Sequence, residues 1–515
     1  MCGIFGVITQ EKNSLNLFHL DNPNHRGPDN SATISSADDR YYFQFHRLCI
    51  NDLSENGNQP FSNDNYDWMC NGEIYNFKSL KRKYNISTPS NSDCEIIAPL
   101  IDTIGFNSMC SELDGVFAIA ILDKKHETLY LVRDPIGVRP LYYYYDDNQF
   151  IFASEGKSIH SLVDNKKNIQ QLPPSSYMIY NYNTHDYNIS KYFNIDNIRI
   201  NSDLRFNKCT EKIHQLLTDS VKKRLISDRP IGCLLSGGLD SSLVASILTK
   251  LMDKKLKTFS VGFKDSEDLK YAKKVAKYLK TDHYELILDY DEVMGRLPEL
   301  IKHIETYDVT TIRASIGMYL LSEYISKNHP EKVIFSGEGA DELFGGYLYF
   351  HKSPTFEEFE DESKRLVKDL YYFDVLRADR CTSAFGLEIR VPFLDKEFVK
   401  FVMSISGNLR KFTNLEKYIL RQSFQDNYLP NEILYRKKEA FSDGVGSMNK
   451  PFYKHIQEYI RKNNKDRQHY FDDDELEKIY YYYIYNSYYQ YNPIPYYWMP
   501  KWIKTNNPSG RLLLN

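Results

Sequence analysis

The first two hundred residues alternate short apolar runs with polar turns. CGIFGVI, YYFQFHRLCI, WMCNGEIYNF, GVFAIAIL and TLYLVRD are rich in β-branched and aromatic residues, and NPNHRGPDN and ENGNQP punctuate them. Runs of that length bounded by turn residues predict strands. SDCEIIAPLIDTIG among them predicts a helix. The mixture implies packed antiparallel sheets with helices outside. DNIRINSDLRFNK, near residues 196–208, is polar and without period. We place a domain boundary there, giving units 2–200 and 201–515.

Beyond it the texture changes. CTEKIHQLLTDSVKKRLI reads as an amphipathic helix, IGCLL as an apolar strand, and SSLVASILTKL as a helix starting near Ser241. Leu243, Val244, Ile247, Leu248 and Leu251 share one face of it. KTFSVGF and KVIFSG are further strands, with helices such as DLKYAKKVAKYLK between. Strand–helix alternation implies a parallel α/β sheet. The tyrosine-rich YYYYIYNSYYQYNPIPYY reads as a helix and loop that cover apolar surface.

Composition changes this picture little. At 515 residues the chain is long for one core. A net charge of −4 and a pI of about 6.4 do not suit a nucleic-acid partner. No apolar run reaches membrane-spanning length, and MCGIFGVITQ lacks the basic start of a signal peptide. Eight scattered cysteines without a CxxC fit a reducing, cytoplasmic compartment better than a zinc site or disulfide framework.

Two stretches carry candidate chemistry. Cys2 follows the initiator Met1. Trimming of Met1 would leave a thiol and a free α-amine on one residue, and a neutral amine can serve a nucleophile as its base. On these residues alone, Cys2 reads more readily as a small residue in a buried first strand. The second stretch is IGCLLSGGLDSS: a strand, a glycine turn and a helix, which aim backbone N–H groups and the helix dipole at an anion. Gly237 and Gly238 allow close approach of phosphate, and Ser236, Ser241 and Ser242 offer hydroxyls. Without GK[ST] it is not a Walker A loop. Asp240 would repel bare phosphate and calls for a bridging Mg²⁺. KVIFSGEGADELFGG repeats the theme, with Ser336, Gly337, Glu338 and Asp341 just past a strand. Both turns can face one crevice at the carboxyl ends of parallel strands. Asp240 and Asp341 then form the metal pair, and Glu338 is left for proton chemistry or substrate contact.

Over nearly its whole length the chain resembles the glutamine-hydrolysing asparagine synthetase family. The front motifs are MCGIFG, HRGPD, HRLCI, NGEIYN and SDCE. The rear ones are LLSGGLDSS, HIETYDVTTIRAS, SGEGADELFGGY, EIRVPFLD and KKEAFSDGVG. Asn91 stands where the family usually has Gly before SDCE, and Ala340 where SGEGSDE has Ser. The resemblance implies an N-terminal-nucleophile αββα sandwich, a class II glutamine amidotransferase, followed by an α/β domain of ATP-pyrophosphatase type. It implies that Cys2 attacks the glutamine amide, with Asn71 and Gly72 as the oxyanion hole. Arg47 would take the substrate α-carboxylate and Asp93 the α-ammonium, with the backbone of Asn71, Gly72 and Glu73 completing the pocket. In the second site ATP would adenylate aspartate. Leu234, Ser236, Gly237, Gly238, Asp240, Ser241, Val261, Ser336, Gly337 and Lys438 would hold the nucleotide, and Asp240 and Asp341 the Mg²⁺. Thr310, Thr311 and Arg313 would contact aspartate, and Glu338 would act as base when ammonia attacks. Ammonia would cross between the sites by an internal passage. Glutamine, aspartate and ATP are then the partners; the sequence is compatible with a homodimer but does not set the oligomeric state.

A β-lactam-forming synthetase shares the plan but generally lacks a working glutaminase cysteine. Phosphoribosyl-linked amidotransferases share only the front half. A degenerate regulator would have lost Cys2, Asp240, Glu338 or Lys438, and all four are present.

Overall fold

The structure is a computed structural model that describes residues 1–10, 22–411, 413–437, 452–463, 472–489 and 498–503. Its front part holds two six-stranded antiparallel sheets. The first contains β1 (Gly3–Thr9), β2 (Asn30–Ser35), β3 (Tyr41–Arg47), β8 (Tyr142–Tyr145), β9 (Gln149–Ala153) and β10 (Gln170–Gln171), in the order β10-β8-β9-β1-β3-β2. The second contains β4 (Phe61–Ser62), β5 (Tyr66–Ile74), β6 (Gly115–Asp123), β7 (Thr128–Arg133), β11 (Ser176–Asn181) and β12 (Tyr187–Lys191), in the order β12-β11-β7-β6-β5-β4.

The near-continuous apolar run of β6 is explained by burial on both faces. Ala118, Ala120 and Leu122 point into the layer between the sheets, where they meet Ile4, Phe43, Phe45 and Phe152. Phe117, Ile119 and Ile121 point the other way, onto α1 (Phe77–Tyr84), α2 (Ile97–Ile104) and α3 (Phe106–Glu112). Period-two alternation assigns each residue to one layer. The outer face of the first sheet carries Phe5, Val7, Tyr142 and Ile151, which join the core of the rear half together with the short α4 (Gly156–His160). Helices, two sheets and a second covered face are the αββα sandwich expected.

The chain leaves these sheets after Lys191 and enters α5 (Phe206–Lys223). The rear half is built on five parallel strands: β13 (Ile231–Leu234), β14 (Lys257–Gly262), β15 (Asp282–Ile287), β16 (Val333–Phe335) and β17 (Glu388–Arg390). Their order is β15-β14-β13-β16-β17. The order reverses between β13 and β16, so the loops that follow those two strands diverge and leave a crevice.

Helices α6 (Leu239–Leu251), α7 (Glu267–Leu279), α8 (Tyr290–Ile304), α9 (Val309–Asn328), α10 (Ala340–Phe344), α11 (Phe356–Asp369) and α12 (Asp374–Ser383) surround the sheet. Helix α6 starts at Leu239, two residues before the expected Ser241. Gly238 is its N-cap, and Asp240 lies in the first turn, where negative charge suits the helix dipole. The tyrosine-rich segment forms α13 (Asp473–Tyr488), with Tyr481 and Tyr485 buried against the core; 490–497 lie outside the described residues. Among the described residues, no helix is long and apolar enough to cross a membrane.

Candidate active sites

The front pocket forms where β1, β3 and β5 begin or end. Cys2 immediately precedes β1, and β1 pairs Gly3 with His46. The Cys2 Sγ accepts the Leu48 N–H at 3.4 Å. Burial pushes this thiol up to about 12. With Met1 in place the α-amine belongs to Met1, which is buried and donates to the Leu387 carbonyl at 3.2 Å.

Arg47, at the end of β3, is 4% exposed. Its guanidinium donates to the Ser54 carbonyl and Asn58 Oδ1, both at 2.8 Å, to the Asn51 carbonyl at 3.2 Å, and to the Asp52 carbonyl. Every one of these acceptors is a neutral carbonyl oxygen, so its charge is left to meet an incoming carboxylate. Asn51, which the sequence reading did not single out, ties the pocket together. Its amide donates to Glu73 and, at 3.3 Å, to Asp93. Asp93 also accepts the Ile74 N–H at 2.6 Å. Burial raises both carboxyls, Glu73 strongly, with Glu388 and Asp93 adding to it.

Asn71 is fully buried on β5, and neither its Oδ1 nor its Nδ2 has a partner. A buried amide that bonds to nothing is costly unless a ligand completes it. At Gly72 the backbone has φ 151°, and a Cβ would sit 2.0 Å from the Val116 carbonyl, so only glycine fits beside β6.

The rear pocket fills the crevice between β13 and β16. Leu234, Ser236, Gly238, Asp240, Ser241, Val261, Ser336, Gly337, Glu338 and Asp341 all line it, as the sequence reading expected. Gly237 lies behind the turn at φ 72°, where a Cβ would meet the Ala272 nitrogen at 2.4 Å. The Ser236 and Ser241 hydroxyls are 3.0 Å apart. Gly238 offers no side chain to cap α6, so the first-turn amides are left for an anion.

One residue the sequence did not flag organises this site. The Lys417 ammonium lies 2.5 Å from Asp240 Oδ2 and 2.6 Å from Asp341 Oδ1. Lys417 holds a left-handed backbone, φ 55°, uncommon for a side chain of its kind. Gly346 lies so close that a Cβ there would meet the Lys417 Cε at 2.1 Å. The two carboxylates therefore converge on one cationic centre, and Asp240 Oδ1 is buried with no protein partner. Two hard oxygen donors aimed at one point fit a divalent cation of the Mg²⁺ type.

Glu338 accepts from Ser336 at 3.2 Å and from Arg377 of α12 at 2.7 Å. Burial raises its carboxyl, and the Arg377 charge opposes that rise. Tyr347 and Asp374 also line this side, and Tyr347 donates to Glu342 at 2.5 Å.

The expected aspartate trio is not brought together. Thr310 lines the pocket, and its hydroxyl has no protein partner. Thr311 is turned to Asp308, the N-cap of α9, donating its hydroxyl at 2.6 Å. Arg313 forms a buried fork with Glu477 of α13, at 2.8 and 2.5 Å. Thr311 lies about 100° round the helix from Thr310 and faces away, whereas Arg313, only about 60° from Thr310, is drawn to Glu477 rather than to the pocket. Lys438 lies outside the described residues; its neighbour Lys437 lines the pocket.

Between the pockets lies a buried charge network. Glu155 contacts Arg26 at 2.9 Å and Arg380 and Lys157 at 2.6 Å. Burial alone pushes this carboxyl up, but Lys157, Arg380 and His25 hold it well below the usual range. His25, Glu155 and His303 bring ligand atoms within 4.8 Å of one another, the one such trio among the described residues. Three cations already share its single carboxylate, so it does not suit a divalent metal. Arg390 of β17 reaches Glu73 in the front pocket at 3.5 Å.

Comparison with known proteins matches a family to each half of the chain. A family described as a glutamine amidotransferase domain matches residues 1–215, and one described as asparagine synthase matches 212–366 and 353–494. The chain is 41% identical to the glutamine-hydrolysing asparagine synthetase of Gallus gallus, over 100% of this chain and 98% of that one. It is 39% identical to a probable glutamine-hydrolysing asparagine synthetase of Acanthamoeba polyphaga mimivirus, over 100% of both. Among solved structures, glutamine phosphoribosylpyrophosphate amidotransferase from B. subtilis aligns with 45% of this chain and 61% of its own. The TM-score is 0.32 and the identity 16%, too slight to argue from. With family matches over both halves and relatives matched along its full length, the chain belongs to the asparagine synthase family and carries a glutamine amidotransferase domain at its front.

Proposed function

We propose that the chain makes asparagine from aspartate, glutamine and ATP, releasing glutamate, AMP and pyrophosphate. The observation that carries this is the rear crevice: SGGLDSS and SGEGADE face each other across a topological switch point, with a carboxylate pair and a lysine at their meeting point. That is a site for gripping a leaving pyrophosphate.

In the front site, removal of Met1 frees the Cys2 α-amine to serve as base for the thiol. The thiolate adds to the glutamine side-chain carbonyl. The unpartnered Asn71 amide and the Gly72 N–H take the developing oxyanion, a contribution of about 3–4 kcal/mol per donor. Arg47 holds the substrate carboxylate and Asp93 its ammonium. The tetrahedral adduct collapses to the thioester, expelling ammonia with the proton that the α-amine took from the thiol, and water then releases glutamate and restores the thiol.

In the rear site, the aspartate β-carboxylate attacks the α-phosphorus of ATP. The bond to the β,γ-pyrophosphate breaks, giving β-aspartyl-AMP. The backbone around Leu234, Val261, Ser336 and Gly337 holds the nucleotide, and the α6 N-terminus and Lys417 hold the leaving phosphates, with Lys438 as a second cation. Asp240 and Asp341 would hold Mg²⁺, which supplies charge neutralisation on the phosphates. Thr310 is the member of the trio that contacts aspartate. Ammonia attacks the acyl carbon, AMP leaves, and Glu338 takes the proton. Ammonia reaches this site through the interface between the two halves rather than through bulk water. All eight cysteines are free thiols, which supports a reducing, cytoplasmic setting.

The test is product analysis with labelled ATP in the presence of aspartate, glutamine and Mg²⁺. AMP and pyrophosphate in step with asparagine are expected. ADP and phosphate would replace adenylation with a phosphoryl intermediate and overturn the reading.

A further inference from the structure

We infer that Asp379, on α12 of the rear half, is a positioning residue for glutamine hydrolysis in the front half. The inference rests on the reading of Cys2 as the nucleophile. The chain of contacts is short. Arg26, in the loop after β1, donates its Nε–H to the Cys2 carbonyl at 2.9 Å. The far side of the same guanidinium forks onto Asp379, at 2.9 and 3.1 Å, and donates to Ser383 at 3.0 Å. Arg26 is 0% and Asp379 1% exposed.

A guanidinium is a rigid plane, so a two-toothed grip on one edge fixes the direction of the N–H on the other. Glu155 touches only Nη1 and cannot set that plane by itself. The backbone that carries the thiol is therefore held from outside its own domain.

The same ten-residue helix serves the other site. Two residues before Asp379, and so on the opposite flank of the helix, Arg377 holds Glu338 at 2.7 Å and Asp374 at 2.9 Å. Neither Glu338 nor Asp374 touches Asp379 through any described hydrogen bond. Movement of α12 when ligands reach Glu338 would be delivered to the Cys2 carbonyl through Asp379 and Arg26.

A merely structural ion pair would lower stability or impair both nitrogen donors alike, so the test separates these. Glutamine hydrolysis and ammonia-dependent asparagine formation are measured on the full chain for Asp379→Asn, Asp379→Glu, Ser383→Ala and Cys2→Ala. Asp379→Asn should lower kcat for glutamine hydrolysis by about tenfold or more, since misplacement by about 1 Å costs up to about a hundredfold. KM for glutamine should stay within about twofold, because Arg47 and Asp93, which hold the substrate, do not touch α12. Ammonia-dependent synthesis should stay within about threefold, and Asp379→Glu, which keeps the charge, should recover part of the loss. Equal losses with both nitrogen donors, a rise in KM at constant kcat, or undiminished hydrolysis would overturn the inference. If Asp379→Asn does not fold, Ser383→Ala carries the test, because it removes one bond to the same guanidinium without stranding a charge. A lower hydrolytic kcat alone then supports the inference, and no change refutes it. Cys2→Ala tells the two failures apart: if that variant still hydrolyses glutamine, the nucleophile is wrong and the premise falls with it.

Discussion

The two pockets are built from the same chain by opposite means. In the front pocket the reactive groups sit on strands or within a few residues of strand ends. Cys2 precedes β1, Arg47 ends β3, and Asn71, Gly72 and Glu73 are consecutive on β5. Antiparallel register fixes them before any ligand arrives. In the rear pocket the groups sit on the loops after β13 and β16, and distant helices complete it: Arg377 from α12, Lys417 from beyond residue 410. One site is set by a ladder, the other is assembled from pieces far apart in sequence. The first is read from contiguous motifs. The second is half invisible in them.

The largest expected effect separates the pockets outright. Cys2→Ala should remove glutamine-dependent asparagine formation below detection and leave ammonia-dependent formation within about twofold. An equal loss with both donors would merge the two sites into one. The reverse experiment is Lys417→Ala. It leaves Asp240 and Asp341 facing each other without the shared cation, and should cut synthesis with either donor by about 10²–10³-fold. Glutamine hydrolysis should persist. Untouched synthesis would show that Lys417 only balances charge in the unliganded protein.

A smaller effect concerns pH. Burial raises the Glu338 carboxyl while Arg377 opposes it. Glu338 accepts a proton only when ionised, so ammonia-dependent synthesis should fall on the acid side as pH drops through this raised value. That limb should lie above the ordinary glutamate value of about 4.3. Arg377→Gln removes the opposing charge, raises the carboxyl further and should move the limb to higher pH by about 1 unit or more. A limb that stays put would remove Glu338 from proton transfer. The smallest catalytic effect is expected at α13. Glu477→Gln takes the nearer carboxylate from the buried Arg313, leaving Asp474 at 3.9 Å, and should lower the unfolding temperature, at a cost of up to about 3–5 kcal/mol. KM for aspartate should hardly change. A large rise in that KM with normal stability would return Arg313 to the substrate.

The residues explain why legibility differs. The unbroken apolar run GVFAIAIL follows from the two-sided burial of β6, and the first glycine of SGGLDSS, Gly237, from a turn that no side chain fits. Both are local constraints, so both are visible locally. The partners that Thr311 and Arg313 take in this structure, Asp308 and Glu477, are three and 164 residues away, and a motif does not say which of them the folded chain brings close. Lys417 carries no signal at all, since its left-handed backbone and its closeness to Gly346 arise only once the chain is folded. Asn51 was overlooked for a similar reason: its value lies in joining Glu73 to Asp93, which are twenty residues apart.

The arginines at the meeting of the halves limit how this enzyme can be taken apart. Arg26 leans on Asp379, Arg380 on Glu155, and Arg390 on Glu73, each fully buried and each answered from the opposite side of the cut. A fragment ending near residue 200 would keep the Arg26–Glu155 pair but lose Asp379 and Arg380 from around it, and the remainder would lose Glu155 and Glu73 as partners of Arg380 and Arg390. Moving the glutaminase onto another ligase would therefore require transplanting the strand and helix that answer it, β17 and α12, along with it. The two halves resemble a key cut for one lock more than parts drawn from a common store.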